Sequence, residues 1–277
     1  MKTDHASEVA QGRRFEFGKN WARFLRELDE TRIVAAIDSL REMLEVENLN
    51  GRGFLDIGCG SGLFSLAARR LGATVVSFDF DPASVECTQE LKRRYFPHDA
   101  RWSIAEGSAL DSSFLNRLGQ FDIVYSWGVL HHTGAMWQAL ENAALACKPG
   151  SLLFIAIYND QGGTSLRWAA IKRLYNRSPR SVKFLLVLAV GVYFKLKTFI
   201  AIAARFENPF ATRPQSTRGM AWFRDLVDWV GGHPFEVARP EQVFDFYRAR
   251  GFSLMRLKTD RGHGCNEFVF RRDTSNH

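Results

Sequence analysis

Between residues 19 and 46, apolar side chains recur at helical spacing, with Phe24, Leu25, Leu28, Ile33, Val34, Ile37, Leu40 and Leu44 set among charged neighbours. The spacing predicts two helices, broken near Asp29, Glu30 and Thr31. From residue 53 the pattern changes. Short apolar runs (GFLDI, TVVSFD, RWSIAE, FDIVYSW, SLLFIAIY) alternate with helix-length segments (SLAARRLG, PASVECTQELKRRYF, AMWQALENAALAC). That rhythm predicts βαβ crossovers and a parallel sheet. Farther on, PEQVFDFYRARG reads as a helix with Pro240 in its first turn and Gly251 as its stop. FSLMRLKT and CNEFVFRR follow as strands joined by TDRGHG, a link too short for a crossover helix, so the two pair antiparallel. The expected fold class is α/β: a doubly wound sheet, mostly parallel with an antiparallel terminal hairpin strand, plus N-terminal helices and a helical insert. On this reading the chain divides into an N-terminal helical lid (1–50), a ligand-binding core (51–160), a helical insert or cap (161–238) and a stretch that completes the core (239–277).

One apolar stretch departs from the rhythm. Residues 184–206, FLLVLAVGVYFKLKTFIAIAARF, carry Lys195 and Lys197 in their middle. Each lysine would cost roughly 2.5–3.5 kcal/mol at the centre of a lipid-spanning helix, so a transmembrane span is not expected. A buried helix pair, a homodimer contact or a peripheral, membrane-facing element all remain open. At 277 residues and 46% hydrophobic content the chain is long and apolar enough for a full core. The net charge of +7 is dispersed in pairs such as Arg69-Arg70 and Arg93-Arg94, and no RNA-binding signature accompanies it, so nucleic acid is not an expected partner. Cys59, Cys87, Cys147 and Cys265 form no Cys-x-x-Cys pair and show no metal-ligand spacing. They read as reduced thiols of a cytoplasmic protein without a metal site. The first residues, MKTDHASEVAQGRRFEF, lack the apolar run of a signal peptide.

The densest chemical signal is LDIGCGSG, residues 55–62, which places Gly58, Gly60 and Gly62 directly after a strand. A glycine turn that opens a helix presents backbone N–H groups and the positive helix end to a ligand. Asp79 ends the next strand, where a carboxylate can accept both hydroxyls of a ribose. The spacing G-x-G-x-G is not the G-x-G-x-x-G of a pyrophosphate site, which disfavours a nicotinamide-dependent oxidoreductase. Asp56 would repel a pyrophosphate and attract an ammonium group.

At these residues, together with VVSFD, FDIVYSWGVLHHT and CKPGS, the chain resembles the class I S-adenosylmethionine-dependent methyltransferases, which are Rossmann-like. The resemblance is nearest to small-molecule enzymes of the ubiquinone-biosynthesis type, whose fourth strand ends in a similar leucine-histidine-histidine run. It implies S-adenosyl-L-methionine as cofactor and methyl transfer to a hydroxyl, amine or carbon of a small or lipid-like molecule. The turn from Asp56 through Gly58, Cys59, Gly60 and Gly62 would hold the methionine part. Asp79 with Phe80 would hold the ribose, Ser108 and Ala109 the adenine edge, and Trp127 would form an apolar wall. Where the family commonly has an acidic residue, Ser108 offers only a weaker acceptor.

Asp81, before Pro82, reads as a helix N-cap and the less favoured ribose ligand; Ser61 is a candidate cap of the first core helix. Cys59 needs no role beyond small size. His131 and His132 follow the fourth strand at the carboxyl edge of the sheet, where open α/β folds bind ligands, and either is a candidate general base or a structural turn residue. Tyr158 reaches the same edge as a further catalytic candidate. Asn159, His263 and Trp21 are candidate substrate contacts, with Asn266 a weaker one. Phe15, Phe17, Trp21 and Phe24 could form an aromatic lid or simply pack in the core. YSWGVLHH is not the Asn/Asp-Pro-Pro-Tyr/Phe run associated with methylation of exocyclic base nitrogens. A fold that binds the cofactor without transferring its methyl group is the competing class.

Overall fold

The computed structural model describes residues 5–203, 222–260, 262 and 264–274. They fall into two compact units, one taking residues 16–165 with those from 234 onward, the other residues 5–15 with 166–233. In chain order, α1 (His5–Ala10), α2 (Gly18–Glu27) and α3 (Glu30–Leu44) precede β1 (Gly53–Ile57), α4 (Leu63–Arg70), β2 (Thr74–Asp79), α5 (Pro82–Tyr95) and β3 (Trp102–Glu106). Next come α6 (Ser112–Leu118), β4 (Phe121–Trp127), a 3-10 turn at Leu130–His132, α7 (Met136–Leu145) and β5 (Cys147–Tyr158). Three helices follow, α8 (Gly163–Arg177), α9 (Arg180–Ala203) and α10 (Trp222–Gly231), and then α11 (Pro240–Arg248), β6 (Phe252–Lys258) and β7 (Cys265–Arg272).

The larger unit is built on one seven-stranded sheet in the order β3-β2-β1-β4-β5-β7-β6. Every pairing up to β5 is parallel, and β7 alone runs against its neighbours. The strand order reverses between β1 and β4, and at such a switch point a crevice opens beyond the carboxyl ends of the strands. The turns after β1 and β4 therefore meet there. The expected break between the N-terminal helices falls where Asp29 caps α3, its Oδ1 accepting from the Arg32 N–H at 2.9 Å. Gly251 ends the α11 turn at φ 72°, as its position implies.

Core packing follows the strand-helix pattern. On one face of the sheet, Ile33 and Leu40 of α3 pack with Leu66 and Ala67 of α4 over Phe54, Val75 and Ile123. On the other, Leu140 and Ala143 of α7 join Val243 and Tyr247 of α11 over Leu55, Val124 and Leu153. Tyr247 is fully buried, and its hydroxyl donates to the Leu140 carbonyl at 3.0 Å, so the phenol brings no unmet donor into the core. Truncating Leu40 or Ile33 to alanine removes side chains with no exposed surface, a change that typically costs about 2–5 kcal/mol.

In the smaller unit, Trp168 stacks on Phe194 (centroids 5.5 Å apart) and meets Trp229 edge-on at 5.7 Å. Val187 and Val190 supply the buried side of α9. No described helix is long and apolar enough to cross a membrane.

Candidate active site

The glycine turn leaves β1 at the switch point. Gly58, Gly60 and Gly62 have φ of 76°, 55° and 79°, which L side chains rarely adopt. Space is equally restrictive: a Cβ on Gly58 would lie 2.3 Å from Val129 Cγ1, and one on Gly62 2.9 Å from Thr88 Cγ2. One on Gly60 would lie 3.1 Å from the Trp21 ring nitrogen, so α2 lays an indole directly on the turn. Two of the three glycines are thus required by the core unit's own packing.

The expectation that this turn offers free backbone donors needs correction. The Gly58 and Cys59 N–H groups both donate to the Phe78 carbonyl (2.8 and 3.0 Å), and the Gly62 N–H donates to the Cys59 carbonyl at 2.8 Å. The Gly60 N–H donates to Asp79 Oδ2 at 2.9 Å. Three of these four donors are engaged by the end of β2 and one within the turn. Gly62 is the N-cap of α4 and makes no side-chain cap bond, so Ser61 does not cap that helix.

Asp56 lies beneath the turn, 2% exposed. Its Oδ2 accepts from Ser65 Oγ at 2.5 Å, Ser65 Oγ lies 2.7 Å from Ser77 Oγ, and Trp102 Nε1 donates to Ser77 Oγ at 2.9 Å. Burial pushes the Asp56 carboxyl up to about 7, with the Ser65 hydrogen bonds opposing and the Asp79 charge adding to the rise. Asp79, half-buried, is pushed up to about 6, again chiefly by burial. Its Oδ1 accepts from the Asp81 N–H at 2.9 Å. With a backbone donor on each oxygen and the Phe80 N–H also close, the carboxylate is fixed in orientation. Asp81 caps α5 by accepting from the Ala83 N–H at 3.0 Å, and its other oxygen accepts from the Gly18 N–H at 2.8 Å. One side chain thereby starts two helices, α5 and α2. Cys59 is buried, its thiol accepts from Thr88 Oγ1 at 3.2 Å, and burial followed by the Asp79 and Asp56 charges holds it protonated.

The adenine-edge candidates sit in the turn after β3. Ser108 Oγ accepts from the Leu110 N–H at 3.2 Å, and Asn142 donates to the buried Ala109 carbonyl at 2.8 Å. Trp127 closes β4, in register with Ala156 of β5. Phe80 directly follows β2 and is half-buried.

His131 and His132, both buried, lie in the 3-10 turn after β4 within an aromatic cluster. The His131 ring centroid is 4.1 Å from Tyr158 and 4.5 Å from His132, while Phe17 lies 5.1 Å from His132 and Phe235 5.3 Å from Tyr158. His132 Nδ1 is 2.5 Å from the Pro234 carbonyl, which can only accept. In the neutral ring Nδ1 therefore carries the hydrogen and Nε2 the lone pair. His131 Nδ1 instead accepts a long, 3.4 Å bond from the Tyr158 N–H, which fixes the opposite tautomer.

The strap that holds this pair, Pro234 to Glu236, is absent from the sequence-level candidates. The Glu236 N–H donates to the His131 carbonyl at 3.0 Å, and its carboxylate accepts from the Gly134 N–H at 2.9 Å and the Met136 N–H at 3.1 Å. Glu236 thus caps α7 from 100 residues away, raised above the usual carboxylate range by burial. Nothing local in HPFE announces that role. Asn159, expected near substrate, is tied into the β6–β7 link: its side chain donates to the Asp260 carbonyl at 3.1 Å and accepts from Asn266 at 3.2 Å. His263 lies outside the described residues. Asp56, Asp79, the glycines, Trp21 and the histidine turn all line the carboxyl edge around the β1–β4 switch point.

Residues 55–153 match the family model described as a methyltransferase domain. The sheet order, parallel with an antiparallel terminal strand, is Rossmann-like. Among individual proteins, the chain is 32% identical over 115 residues to a ubiquinone biosynthesis O-methyltransferase of Caulobacter vibrioides, a stretch covering 39% of this chain and 42% of that one. The chain therefore spans less than half the length of the relatives it matches at this level. Two solved structures share the fold at 14% identity. Magnesium protoporphyrin IX methyltransferase from Synechocystis PCC 6803, with bound SAH, aligns at TM-score 0.52 over 87% of this chain and 82% of that one. The N-methyltransferase NodS from Bradyrhizobium japonicum WM9, in complex with S-adenosyl-L-homocysteine, aligns at 0.52 over 93% and 98%.

Proposed function

We propose that the protein transfers a methyl group from S-adenosylmethionine to a nucleophilic oxygen, nitrogen or carbon of a small or lipid-like acceptor. The observation that carries the reading is Asp79, half-buried at the end of β2 and oriented by the Gly60 and Asp81 N–H groups beside a positive-φ glycine turn. A diol is what such a carboxylate accepts from. The surroundings suit a cationic ligand, since Asp56 and Asp79 both face ionisation penalties that a nearby positive charge would relieve. A pyrophosphate would meet two acids and a turn whose donors are already engaged.

Bound there, the cofactor would supply a methyl group on a positively charged sulfur, ready for in-line displacement. Asp79 would orient its ribose, Ser108 and Ala109 would border its base, and Trp127 would close one side. Trp21, lying on Gly60, would help exclude water. His132 is the better-prepared base of the pair: the Pro234 carbonyl holds hydrogen on Nδ1 and leaves the Nε2 lone pair to take the acceptor's proton. His131 and Tyr158 would position it through ring contacts. A hydroxyl acceptor suits this arrangement best, because a phenol or alcohol must lose a proton as it is methylated. Cys59, Cys87 and Cys147, buried as reduced thiols, suit a reducing, cytoplasmic setting.

Calorimetric titration with S-adenosylmethionine, then labelled-methyl transfer across phenolic, amine and lipid acceptors, tests the proposal. Binding with saturable transfer to one class is the expected outcome. Failure to bind would remove the cofactor assignment, and binding without transfer to any acceptor would favour a regulatory role.

A further inference from the structure

The smaller unit carries a surface to which the proposed reaction assigns no role. On α9, Phe184, Leu185, Leu188, Val192, Leu196 and Phe199 are each at least half exposed. At 3.6 residues per turn they fall on one side of the helix, opposite buried Val187 and Val190. Lys195 falls within this arc between Phe184 and Leu188, and Lys197 lies about 100° beyond its far edge at Leu196, both exposed. An apolar face of this extent on a helix about 36 Å long marks a contact surface.

Charge decides what it contacts. Between Asp160 and Glu207 the sequence has nine Lys or Arg and neither Asp nor Glu, although the whole chain has 30 acidic residues. Beside the arc, Tyr175, Arg180, Lys183, Phe184, Val187 and Val227 line a cavity of about 270 Å³, greasy at its floor and cationic through Arg180 and Lys183. Lys183 Nζ also sits 5.4 Å from the Tyr175 ring centroid. A second copy of the same helix would bring like charges together around a two-fold axis, with no acid on the helix to answer them. An anionic lipid surface answers both features at once: acyl chains receive the apolar side chains, and phosphates receive the cations.

We propose that the helical unit docks on anionic phospholipid bilayers. The outward face of α9 enters the headgroup layer without crossing it, and Arg180 with Lys183 takes a lipid phosphate at the mouth of the cavity. This goes beyond methyl transfer and stands whether or not the core carries out that reaction.

Flotation of the full chain with phosphatidylcholine vesicles, and with phosphatidylcholine–phosphatidylglycerol vesicles, tests it. Partitioning should favour the anionic vesicles and fall with added salt. The double change Arg180→Gln with Lys183→Gln should lower partitioning roughly thirtyfold, since each basic side chain near such a surface contributes about fivefold. Leu188→Glu with Val192→Glu, both at exposed positions, should abolish it, whereas Leu257→Glu on the exposed edge strand β6 should leave it unchanged. Circular dichroism confirms that each variant is folded. Absence of partitioning to anionic vesicles, or equal partitioning to both compositions, would overturn the proposal. So would a Leu188→Glu, Val192→Glu protein that still floats but changes from dimer to monomer, because the face would then join two copies.

Discussion

Replacing Asp56 with Asn should flatten the pH dependence of stability in the ligand-free protein. The folded Asp56 carboxyl is raised to about 7 from an ordinary 3.8. A raised carboxyl contributes stability that is fully present below the unfolded value and is lost as pH climbs through the folded one. Between about pH 4 and 7 the unfolded chain is ionised while the folded chain still holds most of its proton, so stability falls by about 1 kcal/mol per pH unit, or about 2 kcal/mol from pH 5 to 7. Asn retains an oxygen to accept from Ser65 Oγ and cannot ionise, so the variant loses this slope. Asp99 and Asp122 are held below their ordinary values and contribute stability that disappears only below about pH 4, outside the window. Asp79 and Glu236, both raised, titrate in the same direction as Asp56 but are present in both proteins and cancel in the difference. Urea denaturation of wild type and Asp56→Asn at pH 5, 6, 7 and 8 measures that difference. The curves should converge at pH 5 and separate towards pH 7–8, with the variant the more stable; parallel curves would refute the buried-carboxyl account.

The other expectations concern the ligand and the turn. Asp79→Ala should weaken S-adenosylmethionine binding at least about tenfold in calorimetry, because hydrogen bonds to a charged group are worth roughly 1.5–3 kcal/mol each; unchanged affinity would shift attention to Asp81. If the ligand's positive charge sits near Asp56, binding at pH 6–7 should release protons, seen as a dependence of binding heat on buffer ionisation enthalpy, and no such dependence would place the ammonium elsewhere. Gly58→Ala meets both a forbidden φ and the Val129 side chain, so it should destabilise by more than about 1 kcal/mol even without ligand. His132→Asn should lower turnover by about 10²–10⁴ with little change in cofactor affinity, while equal activity would make the histidine turn structural.

The fold was legible because its signals are local. Strand-helix alternation, Pro240 at a helix start, and a hairpin link too short for a crossover each depend on neighbouring residues, and a mostly parallel sheet with an antiparallel terminal hairpin follows from them. Asp81 was legible in part: capping needs only Pro82 and Ala83 nearby, but its bond to the Gly18 N–H spans 63 positions. The Glu236 cap of α7 and the Pro234 carbonyl on His132 were not legible, since HPFE has no periodicity and its partners lie about 100 residues earlier. The short α1 also went unforeseen, its six residues offering too little amphipathic pattern. Such long-range polar contacts fix which tautomer a histidine adopts, and no spacing rule encodes them.

The glycine turn shows how a strong motif can be read for two reasons at once. The notion that bare backbone awaits a ligand treats each missing Cβ as room for something outside the chain. Here Val129 and Thr88 fill that room at Gly58 and Gly62, and the Phe78 and Cys59 carbonyls with Asp79 take four of its N–H groups. Those two glycines are therefore needed by the fold before any ligand arrives, and their presence alone cannot separate a cofactor site from a structural turn. Asp79 can. Its oxygens accept backbone N–H groups at the half-buried end of β2, while burial raises its carboxyl to about 6, a penalty that packing alone does not require. Asparagine at this position would keep an acceptor for only one of these two donors, set its NH2 against the other, and lose the symmetric pair that a ribose diol needs. Asp79→Asn should therefore remain folded, with a modest loss of stability from the backbone bond given up, and bind S-adenosylmethionine at least about tenfold more weakly. Unchanged binding by the folded variant would instead return the carboxylate to a structural role.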